Sequence, residues 1–275
     1  MKYQLIALDL DGTLNSSNLE VTPRTKEALI KAQEKGIKIV LASGRPTSGL
    51  MREAKSIEME RFGGFFLSYN GARIASYPDG KVIHNQVISA QMVRRIYDWK
   101  EKEGYEMVLM AYDREELGTC QAVLAENSLA FRVKEEAELN HLAVKQVTNL
   151  KEYITYDVNK LLFAADPAYL REIEEEFKAP FVGQLNIYRS APYYLEVMAS
   201  GVDKANALDR LVRHMGIDRS QVMAFGDGYN DLSMIAYAGL GVAMGNAVEE
   251  LKQKADQVTR SNDEDGIAVI LEKYL

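Results

Sequence analysis

An apolar run, Leu5-Ile6-Ala7-Leu8, stops abruptly at Asp9-Leu10-Asp11-Gly12-Thr13, and the remainder of the chain has to fold around that junction. Residues 3–8 read as a buried strand. Side chains alternate along an extended segment, so Asp9 and Asp11 are expected on one side, about 7 Å apart at ~3.3 Å of rise per residue. Gly12 permits the sharp turn that ends the strand. Two like charges at a buried strand end are costly unless a cation or a proton relieves them, so a cationic partner is expected. Taken alone, the string also suits a plain strand followed by an Asp-Gly turn. A calcium-binding loop does not fit: counted from Asp9, Leu14 stands at the sixth position, where that loop needs glycine.

The next segments supply a topology. Thr22-Pro23 offers a helix cap and a first-turn proline, Ala28, Leu29 and Ala32 form an apolar stripe, and Gly36 ends it. Ile37–Ala42 is then a second strand. Strand, helix and strand with short joints make a βαβ unit, whose two strands run parallel through a right-handed crossover. Sites in such sheets lie off the carboxyl ends of the strands, which is where Asp9 and Asp11 fall. The second strand ends at Ser43-Gly44-Arg45-Pro46, a hydroxyl and free N–H groups before a proline-started helix. That turn suits a phosphate oxygen, or a helix cap with no other duty. Residues 65–77 read as a hairpin with a type I′ turn at Asn70-Gly71, which is sufficient reason for Asn70.

Between residues 89 and 190 the pattern becomes an α/β insert: a helix over Ala90–Glu103, strands over 105–111, 158–165 and 181–188, a helix over 168–177, and a polar stretch between that resists assignment. The run Glu174-Glu175-Glu176 reads as a solvated helix face. His84, His141 and His214 have no metal-ligand spacing. Cys120, the single cysteine, cannot form an internal disulfide and reads as a packed thiol.

Two further stretches stand out. Lys204 falls in the first turn of a helix carrying Ala207, Leu208, Leu211 and Val212, where its charge opposes the macrodipole unless an anion is present. Val222–Phe225 is an apolar strand running into Gly226-Asp227-Gly228-Tyr229-Asn230-Asp231. A helix N-cap accounts for one of Asn230 and Asp231 but not for all three polar residues. Residues 240–243 read as a last strand.

With 275 residues, 47% hydrophobic and 27% charged, the chain can bury a large core in one or two domains. A net charge of −7 argues against a nucleic-acid partner, since no basic stripe is available for phosphate backbones. No cleavable leader pattern and no apolar stretch of ~18 residues is present, so a cytoplasmic protein with no membrane partner is expected.

Taken together, Asp9-Leu10-Asp11-Gly12-Thr13, Ser43-Gly44-Arg45, Lys204 and Gly226–Asp231 resemble the four ordered motifs of the haloacid dehalogenase (HAD) superfamily. The insert between the second and third motifs is similar in place and size to the α/β cap of its Cof-type phosphatases. Ser68–Ala72, Ser190–Glu196 and Ala243–Ala247 are similar to segments of that subgroup, particularly its bacterial sugar-phosphatase members. The resemblance implies an α/β fold, with a Rossmann-like core built on a parallel central sheet over residues 1–84 and 190–275 and an inserted cap over 85–189. It implies Asp9 as nucleophile and Asp11 as general acid/base. Magnesium would be held by Asp9, the main-chain carbonyl of Asp11 and Asp227, with Asp231 in support. Ser43, Gly44, Arg45 and Lys204 would bind the phosphoryl group, and Asn230 would help place phosphate or substrate. Ala205 departs mildly from the glycine that commonly follows the motif lysine. The expected partner is a small phosphorylated metabolite chosen by the cap, and the expected assembly a monomer or homodimer. A phosphotransferase such as a sugar phosphomutase, or a silent phosphometabolite-binding protein, stands as the alternative to a phosphatase.

Overall fold

The computed structural model describes residues 2–114 and 120–275. The chain divides into two compact units, one running to His84 and resuming over Asp203–Leu275, the other formed by Asn85–Val202. In chain order the strands are β1 (Leu5–Leu8), β2 (Lys38–Ala42), β3 (Gly64–Ser68), β4 (Arg73–Tyr77) and β5 (Val82–Asn85), then β6 (Val108–Tyr112), β7 (Ala122–Ala125), β8 (Ala143–Gln146), β9 (Lys160–Ala164), β10 (Leu185–Ala191) and β11 (Tyr194–Ala199), and finally β12 (Val222–Gly226), β13 (Leu240–Ala243) and β14 (Gln257–Val258).

The first unit is built on an eight-stranded sheet in the order β14-β13-β12-β1-β2-β3-β4-β5. From β14 through β3 all neighbours are parallel, and β4 is antiparallel to β3. The central strands β1, β12 and β13 are apolar along their whole length because helices cover both faces of a parallel sheet, so neither face can be polar. β1 is buried at every residue, as is β12. Leu29 and Ala32 of the helix Pro23–Glu34, Leu208 and Leu211 of Lys204–Met215, and Ile267 and Leu271 of Gly266–Tyr274 join the same core. Each large side chain so buried stabilises the unit by roughly 1.5–3 kcal/mol before entropy is counted. Thr22 caps the first of these helices through the Thr25 N–H, with Pro23 in its first turn, as the sequence implies.

The connection after β3 differs from the expected type I′ hairpin. β3 and β4 pair with Ser68 opposite Arg73, leaving four residues in the loop. Tyr69, Asn70 and Gly71 all lie in the left-handed region, at φ of 52°, 54° and 92°. A two-residue turn would need only Asn70 and Gly71 there; the non-glycine residues held in this conformation mark strain that the surroundings must offset. β14 was not foreseen: two residues are too few for a periodicity to register.

The second unit is a six-stranded sheet in the order β10-β11-β9-β6-β7-β8. β7 and β8 are parallel, joined through the helix Phe131–Leu139, and the other pairs are antiparallel. That helix and both strands fall in the polar stretch that sequence patterning left unassigned, the helix having few apolar residues to show its period. The apolar core of this unit includes Leu109, Leu124, Phe163, Phe177 and Leu195. The return to the first unit comes later than residue 190. β11 pairs with both β9 and β10, Leu195 lying opposite Phe163 and Arg189, so the boundary moves to Val202/Asp203. An apolar strand carries no mark of which sheet it joins, which is why the earlier boundary looked equally sound. Among the described residues no helix is long and apolar enough to cross a membrane.

Candidate active site

β1 lies between β2 and β12, with Leu8 opposite Leu41 on one side and Phe225 on the other. The residues just beyond these three strands therefore meet at one carboxyl edge, and they are Asp9, Ser43 and Asp227. Asp9 is 6% exposed, and its N–H donates to the Phe225 carbonyl at 3.1 Å. Asp9 and Asp11 stand past the last residue of β1, in a turn where the Leu14 N–H donates to the Asp9 carbonyl. The turn, and not strand alternation, therefore sets their relation.

Lys204 opens the helix Lys204–Met215, with Asp203 capping it through the Asn206 N–H at 3.0 Å. Its side chain is fully buried, and Nζ donates to Asp9 Oδ1 and to Asp231 Oδ1, each at 2.6 Å. A cation at this helix start is thereby matched with two carboxylates from distant segments. Burial alone would lower the affinity of the Lys204 amine for its proton, but the charges of Asp231 and Asp9 outweigh it and raise the pKa. The other oxygen of Asp231 accepts from the N–H groups of Asp227 and Gly228, both at 3.0 Å. Asp231 therefore ties the turn after β12 to Lys204. Gly226 is required by the same turn, since a Cβ there would stand 2.5 Å from that of Asp231.

Asp227 Oδ1 accepts from the Thr13 hydroxyl at 2.8 Å. Gly12 sits against its other oxygen, at φ +81°, and a Cβ on Gly12 would come within 2.3 Å of Asp227 Oδ2. Asn246 Nδ2 holds the Gly12 carbonyl at 2.8 Å. Gly12→Ala is expected to cost about 1–3 kcal/mol through the left-handed backbone alone, and to displace Asp227 as well. Thermal unfolding together with turnover of the variant checks this; unchanged turnover would mean that Asp227 need not stay where it is.

Asp9, Asp227 and Asp231 each bring a carboxylate oxygen within 4.8 Å of the others. Burial and this crowding together raise the proton affinities of Asp9 and Asp227. Burial, then the charge of Asp231, pushes the Asp9 carboxyl well above the usual carboxylate range. Burial, again with Asp231 adding to it, lifts Asp227 to about 6 even though the Thr13 hydrogen bond opposes the rise.

On the β2 side, Ser43 is buried. Its Oγ accepts from the Arg45 N–H at 3.2 Å, and its carbonyl accepts from the Asn70 N–H at 2.8 Å. Gly44 lies beside the Asn70 side chain, and Asn70 Oδ1 accepts from Asn230 Nδ2 at 3.1 Å. Asn70 thus has duties beyond its turn, and its left-handed backbone is part of how it reaches them. Arg45, expected at the phosphate, is engaged with Asp11. Its Nε donates to Asp11 Oδ2 at 2.8 Å and its Nη2 to Asp11 Oδ1, so the guanidinium is turned onto Asp11. The Asp11 carboxylate stands outside the cluster of Asp9, Asp227 and Asp231. Thr13, Asn70 and Asn246, which lie in segments noted in the sequence but were assigned no site role, join the arrangement; these partners lie 160 or more residues away, so local pattern did not show the contacts.

The sequence profile of the haloacid dehalogenase-like hydrolases matches residues 6–271. A crystal structure of a haloacid dehalogenase-like hydrolase from Bacteroides thetaiotaomicron is similar at 42% identity and a TM-score of 0.92, covering 100% of both chains. Phosphatase YwpJ of Bacillus subtilis is 29% identical over 99% of this chain and 100% of its own. The HAD subclass IIB sugar phosphatase BT4131 is 29% identical over 98% of each chain, with a TM-score of 0.78. With a profile spanning almost the whole chain and the four motif segments converging on one sheet edge, the chain belongs to the haloacid dehalogenase-like hydrolases.

Proposed function

We propose that this chain is a magnesium-dependent phosphatase of small phosphomonoesters, sugar phosphates foremost, acting through an aspartyl-phosphate on Asp9. The observation that carries the reading is the state of Asp9. One oxygen is held by the buried Lys204, while among the described residues no hydrogen bond reaches the other. A carboxylate fixed by one oxygen and open at the other is arranged to attack.

The donor set suits a divalent cation: hard carboxylate oxygens in close proximity, with three negative charges against the single ammonium of Lys204. Asp9, Asp227 and the main-chain carbonyl of Asp11 would hold magnesium, Asp231 supporting them through the turn and Lys204. Bound there, it would offset the repulsion between the carboxylate and the phosphate and polarise a phosphoryl oxygen. The chain's own groups supply the rest. Lys204 neutralises charge beside Asp9, and the Ser43 and Gly44 turn with Asn230 orients the phosphoryl oxygens. Asp11 protonates the departing alcohol and afterwards takes the proton of the hydrolytic water. The sugar-phosphate preference rests on likeness to BT4131.

Phosphate release from a panel of sugar phosphates, nucleotides and an aryl phosphate is expected with magnesium and expected to vanish with chelator, returning when magnesium is restored. Release unaffected by chelator would remove the metal from the reading. Transfer to a second sugar without free phosphate would point to a mutase.

A further inference from the structure

Arg45 is 5% exposed in its side chain, whereas Asp11, which it grips with Nε and Nη2, is 45% exposed. The backbone of Arg45 is pinned at both ends, its N–H on Ser43 Oγ and its carbonyl accepting from the Tyr69 N–H at 2.9 Å. Its Nη1 also points to the Gly49 carbonyl, at 3.5 Å. A buried, anchored guanidinium therefore holds an exposed carboxylate by both oxygens. An exposed aspartate otherwise samples several rotamers. A planar fork on two carboxylate oxygens selects one, which a lysine ammonium cannot do.

We propose that Arg45 is a positioning residue that acts through Asp11, fixing the carboxylate for the hydrolytic half of the reaction. The proposal rests on the reading of Asp11 given above. In that half, a water oxygen bonds to phosphorus as the bond from phosphorus to the Asp9 oxygen breaks. The water proton passes to the Asp11 carboxylate, and phosphate and the free Asp9 carboxylate are left.

An aryl phosphate separates the two halves, because a phenolate with a low proton affinity leaves without an acid. In rapid-mixing experiments, Arg45→Ala and Arg45→Lys are expected to release one equivalent of phenolate per site at near-native rate, then turn over about 10²-fold more slowly, at the low end of what loss of a proton-transfer group costs. Asp11→Asn is expected to behave alike, and Arg45→Ala added to it to cost less than about threefold more, since coupled residues are not additive. Loss of the phenolate burst would mean that Arg45 serves the phosphoryl transfer itself, and would overturn the proposal. Additive losses in the double variant would overturn it too, as would native turnover in Arg45→Lys. Native turnover in Asp11→Asn would instead remove the underlying role of Asp11. Should Arg45→Ala fail to fold, as judged by circular dichroism, Arg45→Lys carries the test.

Discussion

Asp9→Asn protein is expected to hydrolyse phosphomonoesters at least about 10⁴-fold more slowly than the native chain, as when a nucleophile is removed from a site whose other parts remain. The carboxamide is nearly the same size, so packing at the tip of β1 should survive. What changes is that no anionic oxygen is left to bond to phosphorus. Rapid acid quenching with phosphate-labelled substrate should find label on the native protein and none on the variant. The expected stability change is small beside the activity change. Asp9 is a buried carboxylate whose charge is opposed by burial and by Asp231, so neutralising it relieves repulsion while weakening one bond to Lys204. Asp9→Asn should melt no lower than the native protein by more than a few degrees. Retention of near-native activity in the purified variant would sink the nucleophile assignment.

Lys204→Met should show the reverse pattern, losing stability and activity together. Methionine fills a similar length, so the loss is chiefly electrostatic. Removing the ammonium leaves Asp9 and Asp231 buried without their shared cation, each having lost a 2.6 Å contact. Breaking a buried pair in this way costs about 3–5 kcal/mol. Asp231 would no longer be tied to Asp9, so the turn carrying Asp227 should loosen, and turnover should fall by ~10²-fold or more, as when a charge-stabilising group is removed from an active site. Denaturant unfolding and steady-state kinetics read the two effects separately. A fully stable Lys204→Met protein would show that the two carboxylates tolerate each other without it, which the raised proton affinity of Asp9 argues against.

These two residues differ in how visible they were. Asp9 stands where an apolar run meets charge, and the βαβ pattern around it assigns that meeting point to a carboxyl edge. Lys204 was notable only for sitting at the wrong end of a helix, a position many surface lysines share. Its duty became plain when the fold set Asp9 and Asp231 against it, 195 and 27 residues away. Arg45 shows the opposite case, where a residue singled out from its turn has a partner that the turn does not reveal. A turn following β2 suits phosphate, and nothing local reveals that Asp11, 34 residues earlier, takes the guanidinium first.

By itself the sequence determined a βαβ unit with Asp9 and Asp11 at its carboxyl end, and its resemblance to a known family implied the α/β fold and the other charged residues of the site. The βαβ unit and its charged end follow from periodicity, glycine and proline chemistry and the cost of burying charge, all of which act over a few residues. Only the tertiary structure decided that β11 belongs to the second sheet, that Asn70 serves Asn230 as well as its own turn, and that Arg45 grips Asp11. Each depends on which distant segments pack side by side, and hydrogen bonds between them follow from the assembled sheets and helices, leaving no period or spacing along the chain to read.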